Sequence, residues 1–330
     1  MGRARSNRGS VAVDEEHHEA HGRPQSRHGG APQAPSVALT AVLRPKRTRL
    51  TAEASPITDE DVAAVAEFLR TNLNDRVPWT LACATVPWKI DAPNHGFMLR
   101  DGNRVVGVLL ALYSERLVAG RRERFCNMGS WCVGPDYRSG SLLLLRALLA
   151  QENYHFTVLT ADVGPQEILA WSGFRPLDTS AVLIPNLPWP TRPGRTRVSA
   201  DPEVIERTLT GAVLELYHDH ERALAANHLV LIRDAESCYV VYRESEYRNK
   251  PIALILYVSN PDVFHAALAP LTRHLLFRRR LLATMAELHV VGRAPWLGVN
   301  VHSSPRMYRS AALGPEHFDY LYSELTCVPW

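Results

Sequence analysis

Residues 138–143, Arg-Ser-Gly-Ser-Leu-Leu, carry the clearest chemistry in this chain of 330 residues. A turn of small residues that opens a helix leaves several backbone N–H groups unpaired and aimed outward. The positive end of the helix dipole adds to them, and such a terminus receives phosphate or pyrophosphate. Arg138 sets a fixed cation beside it. Arg138, Ser139, Gly140, Ser141, Leu142 and Leu143 are therefore the candidate phosphate-binding residues.

Two elements must position that turn. Trp131, Cys132 and Val133 form a β-prone run stopped by Gly134 and Pro135, and Leu142 to Leu149 is unbroken helix former. Around them the chain reads as mixed α/β. Thr58-Asp59-Glu60-Asp61 is a helix start, followed by one apolar face of Val62, Val65, Ala66 and Leu69. Gly96–Arg100 and Arg104–Tyr113 flank Asp101-Gly102-Asn103 as a β-hairpin. Ser114–Arg124 reads as a charged, mobile connection, and Phe125–Val133 as the next strand. Phe156–Thr160 is a further strand, Pro165–Trp171 a short helix, and Gly173-Phe174 turns the chain into a closing strand.

Bulk properties narrow the class. Hydrophobic residues make up 46% and charged residues 22%, a globular composition with no run long enough to span a membrane. The net charge of +3 is too small to argue for nucleic acid, which is not expected as a partner. Five scattered cysteines without a Cys-x-x-Cys pair argue against a disulfide scaffold or a zinc site, and place the chain in a reducing cytoplasm. No metal is expected. Dinucleotide and P-loop glycine motifs are absent from the sequence.

Three segments are expected. Residues 1–52, rich in Arg, His, Gly, Pro and Ser, read as a disordered basic tail. Residues 53–190 form a first domain, and prolines 185, 188, 190 and 193 mark a linker. Residues 191–330 form a second half. There, His228–Tyr242 and Arg248–Ser259 repeat the strand, acidic turn, strand and strand of the first, and Pro261–Leu276 repeats the leucine helix. Asn260-Pro261-Asp262 replaces the arginine turn, so this half is expected to bind no cofactor. Phe318–Thr326 alternates and reads as a final strand.

Val133-Gly-Pro-Asp-Tyr-Arg138, the small-residue turn, the leucine helix and the late Gly173-Phe174 together resemble the GNAT acyltransferase superfamily over about residues 55–190. Ser141 and Leu143 stand where that family carries turn glycines, and Leu169 where it often carries a tyrosine acid. The resemblance implies a twisted mixed sheet flanked by helices, here as two tandem halves. It implies an acyl-CoA co-substrate, foremost acetyl-CoA. The pantetheine arm would pair with the strand through Trp131, Cys132 and Val133.

It also implies N-acyl transfer to a small amine or amino sugar. A carboxylate, histidine or ordered water then removes the ammonium proton, with no covalent enzyme intermediate. Candidate groups near the strand ends are Glu123, Asn127 and Asp162, with Ser130 and Glu115 behind them. Trp79, Trp88, Trp131 and Trp171 offer an aromatic acceptor pocket or plain core packing, and packing is the preferred reading. Three functions stay open: an acyltransferase, with a homodimer compatible with it; a binding or assembly protein that kept the fold and lost the chemistry; and transfer from an aminoacyl-tRNA, against which the lack of a broad basic face counts.

Overall fold

The computed structural model describes residues 53–160, 163–190 and 196–329. The expected basic tail and Asp162 lie outside the described residues. The first sheet begins with β1 (Glu53–Pro56), β2 (Gly96–Asp101), β3 (Arg104–Val118) and β4 (Arg121–Val133), all antiparallel, and β5 (His155–Val158) then pairs parallel to β4. Asp101-Gly102-Asn103 makes the expected hairpin turn. Ser114–Arg124 is not a loose connection. β3 and β4 continue there as a two-stranded ribbon closed by Ala119 and Gly120, both at positive φ. Opposite charges face each other across it, Glu115 against Arg124 and Arg116 against Glu123, which suits an exposed ribbon.

Helices cover both faces of this sheet. α1 (Val62–Asn72) and α2 (Trp79–Ala84) pack Val65, Leu69 and Trp79 against Val108, Leu110 and Leu112. Thr58 closes a capping box on the 3-10 turn Asp59–Asp61 that runs into α1: its N–H and hydroxyl both donate to Asp61 Oδ2, at 2.9 and 2.8 Å. α3 (Ser141–Leu149) sets Leu144, Leu145 and Leu148 on the other face, against Leu99, Leu109 and Met128. Because β3 is buried on both faces, it reads as one apolar run rather than an alternation. Burying each leucine of α3 contributes about 2 kcal/mol.

α4 (Val163–Trp171) leads through buried Phe174 to β6 (Arg175–Pro176), β7 (Ser180–Pro185) and β8 (Thr196–Ser199). α5 (Pro202–Thr208) and α6 (Gly211–His220) precede β9 (Asn227–Arg233), β10 (Glu236–Tyr247) and β11 (Lys250–Val258). α7 (Pro261–Ala266) and α8 (Leu268–Arg279) come next. β12 (Ala283–Glu287), α9 (Leu288–Val291), β13 (Val299–His302), β14 (Met307–Arg309) and α10 (Glu324–Cys327) complete the chain. The second sheet repeats the first: β8 to β11 are antiparallel in sequence order, and β12 is parallel to β11.

The sheets do not divide at residue 190. β7, the expected closing strand of the first half, lies in the second sheet between β12 and β13. β14, from the second half, lies in the first sheet between β5 and β6. Each half thus lends the other a strand. One core cluster follows from the exchange and joins Phe125, Leu159 and Leu177 to Tyr239, Leu254, Tyr308 and Leu325. The expected final strand does not form. Phe318, Tyr320, Leu321 and Leu325 are all buried and only Asp319 and Tyr322 are half-buried, so this segment runs largely enclosed instead of presenting two faces of a sheet. Among the described residues, no helix is long and apolar enough to cross a membrane.

Candidate active site between parting strands

β4 and β5 pair in parallel from Phe125↔His155 to Met128↔Val158 and then part. Beyond Met128, β4 continues to Val133 against β3 alone. A bulge accompanies the parting. Leu110 faces Gly129 and Val108 faces Cys132, so Ser130 and Trp131 together oppose Leu109, and Ser130 takes a φ of 52°. Such a bulge bends one strand away and leaves its outer edge free.

The C-terminal segment enters this opening. Ser323 Oγ accepts the Leu325 N–H and starts α10, a single turn. Glu324 is fully buried there, its main-chain N–H donating to Asn127 Oδ1 at 2.8 Å. Thr160 Oγ donates to Glu324 Oε1 at 2.8 Å, and Oε2 has no hydrogen-bond partner among the described residues. Gly129 makes the room: a Cβ there would stand 3.2 Å from both Cβ and Oε2 of Glu324. Burial pushes the Glu324 carboxyl up to about 7, while its bonds to Thr160 and Asn127 act in the other direction. A carboxyl poised near neutrality at the parting of two strands suits a general base.

The residues expected from sequence divide around this point. Asn127 is buried at the opening, but its polar atoms are committed. Its Nδ2 donates to Thr157 Oγ1 at 3.0 Å, and its Oδ1 holds Glu324. It anchors the carboxylate-bearing turn. Glu123 lies five residues before Met128, about 16 Å along the strand. It faces His155 Nε2 at 3.1 Å, and His155 Nδ1 lies 2.9 Å from Ser310 Oγ, a polar tie between β4, β5 and the segment after β14. Trp131, Cys132 and Val133 lie half-buried on the free stretch of β4. Ser130 Oγ and Trp131 Nε1, like Glu324 Oε2, are buried without a partner among the described residues. Glu115 pairs with Arg122 on the exposed ribbon, at 2.8 Å.

The expected phosphate turn is more helical than its composition implies. Pro135–Gly140 is a 3-10 turn running directly into α3, and Gly140 holds an ordinary right-handed φ of −83°. Small residues accept that conformation as readily as a loop. The Ser141 N–H is therefore committed to Arg138 O, and the open helix end moves back toward Gly134. Arg138, Ser139 and Leu142 are exposed, Ser141 and Leu143 are half-buried, and Gly140 is buried. Tyr137 hydrogen-bonds Asp101 and accepts from Arg104 at 3.2 Å, which ties the turn to the β2–β3 hairpin. In the second half, Asn260 Oδ1 accepts the Val263 N–H at 3.2 Å and caps α7 itself.

Sequence reasoning missed Glu324. One signal was available: along Phe318, Tyr320, Tyr322, Glu324 and Thr326, it is the single carboxylate, in a row of three aromatics and a threonine. It also missed a buried ion pair at the end of β12. There Arg306 Nη2 lies 2.6 Å from Glu287 Oε1, with exposures of 1% and 0%. Tyr320 donates to Glu287, and the Arg306 guanidinium stacks 3.5 Å from the Tyr320 ring centroid.

No family model matches the sequence, and no curated protein matches it. Solved structures do match its fold. A GCN5-related N-acetyltransferase from Anabaena variabilis superposes with a TM-score of 0.53 at 13% identity, over 78% of this chain and 72% of that one. A protein from Enterococcus faecalis described as a probable N-acyltransferase superposes with a TM-score of 0.52 at 13% identity, over the same shares. With the parted parallel strands and the β4 bulge present, the chain has the GCN5-related N-acetyltransferase fold, built as two halves of like topology.

Proposed function

We propose that this protein is an acyl-CoA-dependent N-acyltransferase, with its site in the first half. One observation carries the reading: a fully buried carboxyl, Glu324, pushed by burial up to about 7 and set where β4 and β5 part. The acyl-CoA supplies a thioester carbonyl; an amine nitrogen attacks it, the C–S bond breaks and the thiolate leaves. Glu324 takes the proton that the amine must lose, directly or through one water. Thr160 and Asn127 hold that carboxylate in place, and the free edge of β4 at Gly129–Val133 receives the pantetheine amides. Arg138, exposed beside the start of α3, meets the pyrophosphate. Acetyl-CoA and a small primary amine are the substrates we favour.

A specific observation favours the other reading, a catalytically silent assembly protein. Glu324 is sealed at 0% exposure, so the C-terminal turn also acts as a plug. Calorimetric titration with acetyl-CoA and longer acyl-CoA thioesters separates the two. The enzyme reading expects saturable binding that Arg138→Ala weakens about tenfold. If no acyl-CoA binds, the plug reading stands.

A further inference from the structure

Arg243 lies on β10, in the half with a self-capped helix and no arginine turn, yet it is 5% exposed. Its guanidinium donates to two main-chain carbonyls of the C-terminal segment, Leu325 O at 3.3 Å and Val328 O at 3.5 Å. Nε has no partner among the described residues. Two long bonds are a poor return for burying a cation, because a neutral donor would satisfy both carbonyls with far less desolvation. The cation is accounted for by what stands next to the first of those carbonyls. Leu325 is the residue after Glu324, and the Glu324 charge opposes the downward pull of burial on Arg243.

We propose that Arg243 is a positioning residue. It clamps the C-terminal turn so that the Glu324 carboxyl stays in the β4–β5 gap, and it is the countercharge to the carboxylate formed there. The proposal rests on the reading of Glu324 as the base. It gives the second half a part in the chemistry of the first.

The groups around Glu324 support this. Thr160 and Asn127 offer neutral hydrogen bonds. Cys126, on β4, and Cys327, on α10, also sense its charge, but burial pushes both thiols up, Cys327 to about 12, so both are neutral at physiological pH. Burial pushes Arg243 down to about 10, with Glu324 opposing that shift and Arg306 adding to it. Arg243 therefore remains a cation. Among these described groups it is the one whose charge favours the ionised carboxyl.

The test reads the carboxyl itself. Infrared difference spectra against Glu324→Gln follow the protonated carboxyl stretch with pH in the full-length protein. Arg243→Met and Arg243→Gln should each move the midpoint upward by about one unit or more, whereas Arg243→Lys should leave it in place. Arg243→Gln keeps a donor for one carbonyl, so it covers the case in which the methionine variant does not fold. The acid limb of kcat should move with the midpoint while KM for acyl-CoA holds. An unchanged midpoint in the folded neutral variants, with only lower thermal stability, overturns the proposal. Full activity in Glu324→Gln would instead remove the base reading and leave the infrared result standing by itself.

Discussion

Glu324→Gln is expected to lower kcat for acyl transfer by about 10²- to 10⁴-fold, the usual worth of a positioned general base. Glutamine is close to isosteric, keeps an oxygen for the Thr160 hydroxyl and leaves the main-chain bond to Asn127 intact. The loss should therefore fall on kcat and not on acyl-CoA binding. In the wild-type protein, kcat should rise with pH through about 7, as the carboxyl ionises. The same variant should also be free of a stability cost that the wild type carries at higher pH. The folded protein holds a proton on Glu324 up to about 7, whereas the unfolded chain releases it in the ordinary carboxyl range. Folding takes up that proton between the two values, so wild-type stability falls as pH rises through this window and is flat above it. The cost at about pH 8 is on the order of 3 kcal/mol. Urea denaturation at about pH 5 and pH 8 should show that slope in the wild type and its loss in Glu324→Gln. Equal slopes in both proteins would mean that Glu324 ionises normally.

The second large effect is structural. Glu287→Gln should destabilise the protein by about 3–5 kcal/mol, because Arg306 is then left as a buried cation without a counterion. Arg306 already has Nε and Nη1 unpaired among the described residues, and its bond to Ser303 Oγ, at 3.3 Å, brings no countercharge. The pair sits where the halves exchange strands. Glu287 ends β12, Arg306 immediately precedes β14, and Arg306 O accepts the Leu177 N–H at 2.8 Å. Replacing both members with apolar residues, Glu287→Leu with Arg306→Met, should recover most of the loss, since no charge then remains to desolvate. Denaturation midpoints of the two single variants and the double variant measure the coupling. Additive losses would show that the two side chains do not act as a pair.

Local order was legible in the sequence and long-range order was not. The Asp101-Gly102-Asn103 turn, the leucine helix and the Thr58 cap rest on neighbouring residues, and each stands where it was expected. The tandem repeat was legible for the same reason, since β9 to β11 restate the strand, turn and strand of β2 to β4. The exchange of β7 and β14 was not. Ser180–Pro185 is equally apolar whichever sheet it joins, and only its partners Val299–His302 and Ala283–Glu287, about a hundred residues away, decide the matter. Glu324 was hidden by a period of two. Phe318–Thr326 alternates like a strand, but a largely enclosed segment needs no particular period. The ribbon over Ser114–Arg124 was misread because charge suggested a loop, when cross-strand pairing of those charges is what an exposed ribbon requires. The resemblance drew attention to β4; of its candidate bases, Asn127 anchors the Glu324 turn, Glu123 faces His155, and Asp162 lies outside the described residues.

The most direct measurement is thiol release from acetyl-CoA in the presence of a panel of primary amines, by the wild type and Glu324→Gln, from about pH 6 to pH 9. The account predicts amine-dependent release in the wild type, with an acid limb near 7, and release reduced at least about a hundredfold in the variant. Wild-type release rates in Glu324→Gln, or a wild-type rate that ignores pH across that range, would contradict it.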